Sequence, residues 1–394
     1  MTRSCEFIPL SVPEISGNEW KYVKDCLDTG WVSSVGSYVS RFEEMVADYV
    51  GAKYAVATVN GTSALHVSLI ACGVQPNDEV IVPTLTFIAP VNIIRYCNAY
   101  PVFMDCDMDT LCIDVQKITD FIKGECIQQK DGYTYNKKTN RRLKAIIPVH
   151  IFGHPVDMDG LVEICTKYNI DIIEDATESL GSEYKGEKTG SFGKVGCFSF
   201  NGNKIITTGG GGMLVTNDES IAKRARHLTT QAKSDPFEYD HDEIGFNYRL
   251  TNIQAAMGVA QMEKLNEFIF LKRKNVTFYK AKLVCLEDVE LFEEQPWAKS
   301  NYWFYTIKVP KEHKKALMLL LLSKGIQVRP IWRLIHLLTI YKNFQTYKID
   351  NAIGFYETCI NIPCSISLKK SQIEFVVKEI KCYFNAAMFG SVFV

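Results

Sequence analysis

Gly196-Cys-Phe-Ser-Phe-Asn-Gly-Asn-Lys204-Ile-Ile-Thr-Thr-Gly-Gly-Gly-Gly-Met213 decides how the rest of the chain is read. An apolar run of strand character, 197–201, turns at Asn201-Gly202 and presents one lysine. It then passes through four successive glycines into a second strand-like run, 213–217. No helix separates the two strands, so one of them joins its sheet antiparallel and the lysine-bearing link lies over the sheet. Glycines in such a link let the backbone take positive φ and let a flat ligand come close. Lys204 is thereby a candidate to bond a carbonyl-bearing ligand; the alternative is a solvated lysine in a flexible turn.

Outward from that stretch, residues 53–217 alternate between strand and helix. Strand candidates are 54–59, 79–83, 101–105, 145–150, 171–175, 197–201 and 213–217. Helical patterns at 64–72, 88–97 and 161–168 separate the earlier ones, and near-continuous Val/Ile strands between helices predict a parallel sheet covered on both faces. The fold class is therefore α/β, with a mostly parallel seven-stranded sheet flanked by helices. Ahead of the sheet, 1–50 reads as a polar arm and two helices, 16–29 with Ser16 as its cap and 37–50 closed before Gly51. The loop Gly30-Trp-Val-Ser-Ser-Val-Gly36 between them is too apolar for open solvent, and faces a partner or a ligand.

Residues 124–142 break the rhythm as an inserted polar hairpin whose basic end, Lys137, Lys138, Arg141 and Arg142, reads as a solvated face. One long amphipathic helix, 252–282, leads out of the sheet. Beyond it, strands at 302–309 and 327–331 and helices at 312–324 and 370–384 form a small α+β unit. The expected division is a large domain, 1–265, that includes the arm, and a small C-terminal domain, 266–394.

Composition narrows the chemistry. A chain of 394 residues with 47% hydrophobic and 23% charged residues can bury a sizeable core. Its net charge of -1 supplies no basic field for nucleic acid. The 13 cysteines show no CxxC pair or metal-ligand spacing and often sit in apolar runs, as Cys72, Cys97 and Cys165 do. Reduced core thiols, a cytoplasmic location and no metal are expected. No apolar leader opens the sequence, and the apolar run 316–322 is too short for a bilayer, so no membrane segment is expected. The sequons at Asn60 and Asn275 then read as chance matches.

Open α/β sheets bind ligands beyond the carboxyl ends of their strands. After the first strand, Asn60-Gly-Thr-Ser63 opens a helix, and such a turn offers free N–H groups, hydroxyls and the positive end of the helix dipole to a phosphate; an ordinary helix cap is the alternative. After the second, Phe87 can cover a planar ligand or join the core. The fifth ends Ile172-Ile-Glu-Asp175-Ala-Thr-Glu178, and a buried acid at a strand tip needs a cationic partner such as a pyridinium nitrogen, unless it caps the next turn. Phosphate turn, aromatic cover, acid and lysine together are the parts that hold pyridoxal 5′-phosphate (PLP).

Seven motifs in order, Asn60-Gly-Thr-Ser-Ala-Leu-His66, Asp78-Glu-Val-Ile-Val-Pro83, Pro148-Val-His-Ile-Phe-Gly153, Ile173-Glu-Asp-Ala176, Gly190-Ser-Phe-Gly193, Cys197-Phe-Ser-Phe200 and Gly245-Phe-Asn-Tyr-Arg-Leu250, resemble the DegT/StrS family of PLP-dependent nucleotide-sugar aminotransferases. The resemblance spans residue 8 to about 273 and, more loosely, the tail. It implies a fold-type I enzyme in which Lys204 carries PLP and later shuttles protons, and Asp175 pairs with the ring nitrogen. Gly61, Thr62, Ser63 and Ser199 are implied to hold the phosphate, with Phe87 over the ring. It also implies a homodimer with shared sites, Asn247 reaching the phosphate from the other subunit and Arg249 holding the acidic donor or the substrate. His336 matches a histidine near the sugar. Glu178 stands where glutamine is common and is implied to bring a carboxylate near the cofactor's phenolic oxygen, and Gly210 stands where glutamate is usual.

The implied reaction moves an amino group from L-glutamate to a 4-keto-6-deoxy sugar on a nucleoside diphosphate. The forms Asn201-Gly-Asn-Lys204 and Glu174-Asp-Ala-Thr-Glu-Ser179 look most like the branch acting on UDP-linked N-acetylamino sugars in legionaminic acid, bacillosamine or lipopolysaccharide-type pathways. A sugar 3-dehydratase of the same family has histidine at the lysine position. A non-catalytic PLP-binding regulator lacks part of the lysine, acid and phosphate set or carries a DNA-binding module.

Overall fold

The main sheet is built from short apolar strands that stay buried along their length: β1 (Tyr54–Thr58), β2 (Glu79–Pro83), β3 (Tyr100–Met104), β4 (Leu143–Ile146), β5 (Asp171–Asp175), β6 (Val195–Ser199) and β7 (Gly212–Thr216). In the computed structural model, which describes residues 7–235 and 237–388, these seven are joined by an eighth, β8 (Thr346–Tyr347). The order is β1-β7-β6-β5-β4-β2-β3-β8. Only β7 runs against its neighbours, pairing antiparallel with both β1 and β6, while the other pairs from β6 to β8 are parallel. The lysine-bearing link therefore crosses between two adjacent antiparallel strands, as its lack of a helix requires. The first residues of the expected arm, 1–6, and the tail, 389–394, lie outside the described residues.

Alternation along the strands sorts the core into two faces. Val56, Val80, Val82, Ile173, Cys197 and Leu214 pack under the helices Gly61–Ala71, Ala89–Tyr96 and Glu219–Thr229. Their neighbours Ala55, Ala57, Phe198, Met213 and Val215 pack under Ser37–Val50 and Asn252–Met262. Gly258 makes that last approach possible, because a Cβ there would lie 2.7 Å from the Phe42 ring.

Several expectations are corrected. The first helix is Glu19–Thr29, not 16–29, and no side chain caps it; Gly17 N–H instead meets the carboxylate of buried Glu19. The long helix is two, Asn252–Met262 with a Thr251/Gln254 capping box, and Leu265–Leu283. No glycine or proline marks the break. Its first piece lies on the two N-terminal helices and its second against the C-terminal helix, so packing directions decide it.

The inserted hairpin forms, Cys126–Gln128 pairing with Thr134–Asn136. Its basic end is only half solvated. Lys137 and Lys138 are exposed, but Arg142 grips Asp78 at 2.5 Å and Arg141 lies 3.7 Å over the Tyr100 ring.

A second, antiparallel sheet orders Glu290–Leu291, Tyr305–Lys308, Cys359–Ile362 and Arg329–Pro330. Two exchanges tie the two sheets together. Ile8 of the arm bonds Gly325 and Gln327 at 2.8 and 2.9 Å, and β8 extends the main sheet at β3.

Candidate active site

Beyond the carboxyl ends of β1, β2, β5 and β6 lies a cavity of about 290 Å³. Asn60, Gly61 and Thr62 supply one wall, Thr86 and Phe87 the next, Asp175, Thr177 and Glu178 the floor, and Ser199, Asn201 and Lys204 the far side. Local chemistry explains each placement. Asn60 caps the helix Gly61–Ala71, its side chain accepting the Ser63 N–H at 2.8 Å. That leaves Gly61 and Thr62 with first-turn N–H groups that a helix cannot satisfy itself. Gly61 must be glycine: a Cβ would lie 2.9 Å from Ser199 Cβ and 3.1 Å from Thr177 Cγ2. Gly212 must be too, because a Cβ there would come within 2.4 Å of the Asn60 backbone.

Lys204 is held, not free. Its N–H bonds Asn201 O at 3.0 Å, and Ile205 and Ile206 behind it are buried. Its side chain is 12% exposed, with Nζ 3.7 Å over the Trp303 ring and 3.9 Å from Glu178 Oε1. Trp303 is fixed in turn by its indole N–H, which donates to Asn203 O at 2.6 Å. Burial pushes the lysine below its ordinary range, and Glu178 and Asp175 oppose that shift. Asp175, buried at the tip of β5, is raised by burial, while Thr177 N–H, donating at 3.1 Å, and Lys204 pull it back. Burial pushes Glu178 up to about 7 against Lys204 and the Phe152 N–H.

Behind the floor, Glu174 accepts N–H groups from Gly190 at 2.7 Å, Phe192 at 2.7 Å and Gly193 at 2.6 Å, and meets His150 Nε2 at 3.0 Å. The Gly190-Ser-Phe-Gly193 motif thus cups the carboxylate next to Asp175 and holds the end of β5 in place.

Not every expected residue converges. Ser63 is buried with its N–H given to Asn60, and it does not line the cavity. His336 is turned to Thr84, Nδ1 to Oγ1 at 2.6 Å, one layer away. Arg249 reaches Glu43 at 3.4 Å and lines a separate cavity with Trp31, Tyr38 and Asn252. Asn247 is exposed, in a bridge with Thr230. Gly210 has room: the nearest atom to a Cβ there is Gln254 Nε2 at 3.8 Å. Sequence reasoning missed Trp303 and Trp332, which close the cavity from the C-terminal third of the chain. Their only signal was aromatic character within apolar runs.

Two wall atoms, Thr86 Oγ1 and Trp332 Nε1, are buried without a hydrogen-bond partner. An amine, an acid beside it, a helix start and unsatisfied polar atoms thus meet in one cavity of a mostly parallel α/β sheet. The chain belongs to the DegT/DnrJ/EryC1/StrS aminotransferase family, whose sequence profile matches residues 13–381. It is 38% identical to the GDP-perosamine synthase of Escherichia coli O157:H7 over 96% of this chain and 99% of that one. With the GDP-perosamine synthase of Caulobacter vibrioides it shares 39% identity over 94% and 96%. Among solved structures, Helicobacter pylori PseC, an aminotransferase of pseudaminic acid biosynthesis, superposes with a TM-score of 0.87 at 25% identity, covering 97% and 100% of the two chains. The PLP form of Streptococcus pneumoniae Spr1654 superposes at 0.86 and 25% identity, covering 96% and 99%.

Proposed function

We propose that this chain transfers an amino group from L-glutamate to a 4-keto-6-deoxy sugar linked to a nucleoside diphosphate. The protein is a PLP-dependent sugar aminotransferase. The observation that carries the finer reading is the meeting of Lys204, Asp175 and the Gly61-Thr62 helix start in one cavity.

The residues present fit the cofactor. Gly61, Thr62 and Ser199 would take the phosphate, the orphaned Thr86 hydroxyl offers it a further donor, and Phe87 and Trp332 would cover the ring. When bound, PLP supplies an electron sink that carries the amino group between donor and acceptor. Asp175 would supply the negative charge that keeps the ring nitrogen protonated. Lys204 would hold the cofactor and would move a proton at its Nζ.

UDP-linked N-acetylamino sugars are the acceptors that the Lys204 and Glu178 motifs favour; GDP-linked sugars are the second reading, favoured by the relatives at 38% and 39% identity. Holoenzyme with glutamate and a panel of UDP-, GDP- and dTDP-linked keto sugars, products read by mass and NMR, tests both. Failure to aminate any of them would sink the proposal.

A homodimer with shared sites belongs to the same reading. Trp31 is 57% exposed and Val35 65% in the loop beside Arg249, an apolar patch of the kind a second copy covers. Mixed Lys204→Ala and Arg249→Ala chains should regain activity, because one site in the hybrid collects both defects and the other none. Exchanged but inactive hybrids would assign Arg249 to its own chain's site. The boundary between 1–265 and 266–394 is carried as a proposal, with Ile8 and β8 crossing it.

A further inference from the structure

The transfer described above gives Glu178 no work beyond lying beside the cofactor ring, yet the fold invests heavily in placing it. Its side chain is 3% exposed, and its two oxygens are divided: Oε2 accepts the Phe152 N–H at 2.7 Å, while Oε1 faces Lys204 Nζ at 3.9 Å. The Phe152 donor sits at φ 53 and ψ 15, a left-handed conformation that a buried phenylalanine avoids unless its surroundings impose it. Gly153 follows at φ 96, where a Cβ would lie 2.0 Å from Asn301 Oδ1. Asn301 Nδ2 in turn donates to the carbonyls of Glu178 at 3.1 Å and Leu180 at 2.9 Å. One buried asparagine thus locks both the segment carrying Glu178 and the strained turn that addresses it.

The charges around Glu178 do not balance if every group is ionised. Among the described residues, Lys204 is the cation that bears on it, against its own carboxylate and that of Asp175, while the buried Cys112 thiol is pushed up to about 12 and stays neutral. Two carboxylates against one ammonium leave a surplus charge in a buried cavity, which favours a proton on one of the three.

We propose that Glu178 is the proton store of Lys204, taking the ammonium proton when the amine must be neutral and returning it afterwards. This rests on the reading that Lys204 carries PLP. In the step, a Lys204 Nζ–H bond breaks and a Glu178 Oε1–H bond forms. The pair goes from one positive and one negative group to two neutral ones, and no third reactant is needed. Moving from 3.9 Å to hydrogen-bond distance takes about 1 Å of side-chain motion.

The test compares PLP-loaded wild type, Glu178→Gln and Glu178→Asp without substrate, following the visible absorption band from acid to alkaline pH. Wild type should show a step above the ordinary carboxylate range, because burial raises Glu178. A carboxylate beside the nitrogen favours its charged form, so Glu178→Gln should lose the step and give up the protonated band about one pH unit earlier or more. Glu178→Asp should retain a displaced step. With substrate, Glu178→Gln should lower kcat about 10²-fold with little change in KM, as expected of lost proton transfer. Should the glutamine variant not fold, isotope-edited infrared of wild type must show a protonated carboxyl appearing as pH falls through about 7. A wild type with no visible band refutes the PLP reading itself. A band that titrates identically in wild type and Glu178→Gln, or no such carboxyl signal, overturns the proton store alone.

Discussion

Two buried lysines lean on the same tryptophan and have opposite characters. Lys272, 3% exposed on the helix Leu265–Leu283, donates to Trp303 O at 3.0 Å and to Cys364 O at 2.7 Å. Lys204 lies on the other side, its Nζ over the Trp303 ring and short of hydrogen-bond distance to Glu178. Burial lowers the pKa of both. What separates them is the partner. Neutral carbonyls at bonding distance keep an amine fixed inside the protein, whereas a carboxylate just out of reach beside an open cavity is the setting proposed for an amine that exchanges protons and forms a bond. Depth of burial alone does not make a reactive lysine.

The largest expected effect follows directly. Lys204→Ala should fold and bind PLP yet lose multiple turnover by about 10⁴-fold or more, whereas borohydride treatment of PLP-loaded wild type should label the Lys204 peptide and leave Lys272 unmodified. Label on Lys272 would erase the contrast. Asp175→Asn, which keeps shape but removes the charge opposing Lys204, should cost about 10²-fold or more in kcat with the thermal midpoint nearly unchanged; an intact rate would deny the acid its role.

Lys272→Met tests the other seat. It strands two buried carbonyls and should lower stability by about 1–3 kcal/mol per carbonyl in denaturant melts, with activity per folded molecule within about twofold of wild type. A large loss of kcat at unchanged stability would show that the two seats are coupled. Trp303→Phe keeps a ring under Lys204 but removes the bond to Asn203 O, so about 1 kcal/mol of stability and a smaller, several-fold loss of kcat are expected.

Legibility followed the range of the forces. Strands β1 to β7 were readable because each is a continuous apolar run bounded by turn residues, and an antiparallel entry by one of β6 and β7 followed from the missing helix. Lys204, Asp175 and the Gly61-Thr62 turn were readable as strand-end chemistry, a local signal. The eighth strand was not, since Thr346 is exposed and Tyr347 half-buried, and nothing local asks them to pair with Phe103 and Met104. Trp303 and Trp332 reach the cavity only once the C-terminal third folds back. Ser63 sits outside the cavity lining, its N–H taken by Asn60 of the same turn.

The arm also sets the order in which the chain can be completed. Ile8 finds its partners at Gly325 and Gln327, and Leu10 O receives Cys364 N–H at 2.9 Å, so these pairings wait until residues far further along the chain have been made. Contacts this distant in sequence slow folding and prolong exposure of the unfinished main sheet. Trimming the arm just past Leu10 should therefore show itself in refolding yield and aggregation during synthesis before it shows in the chemistry of the cavity.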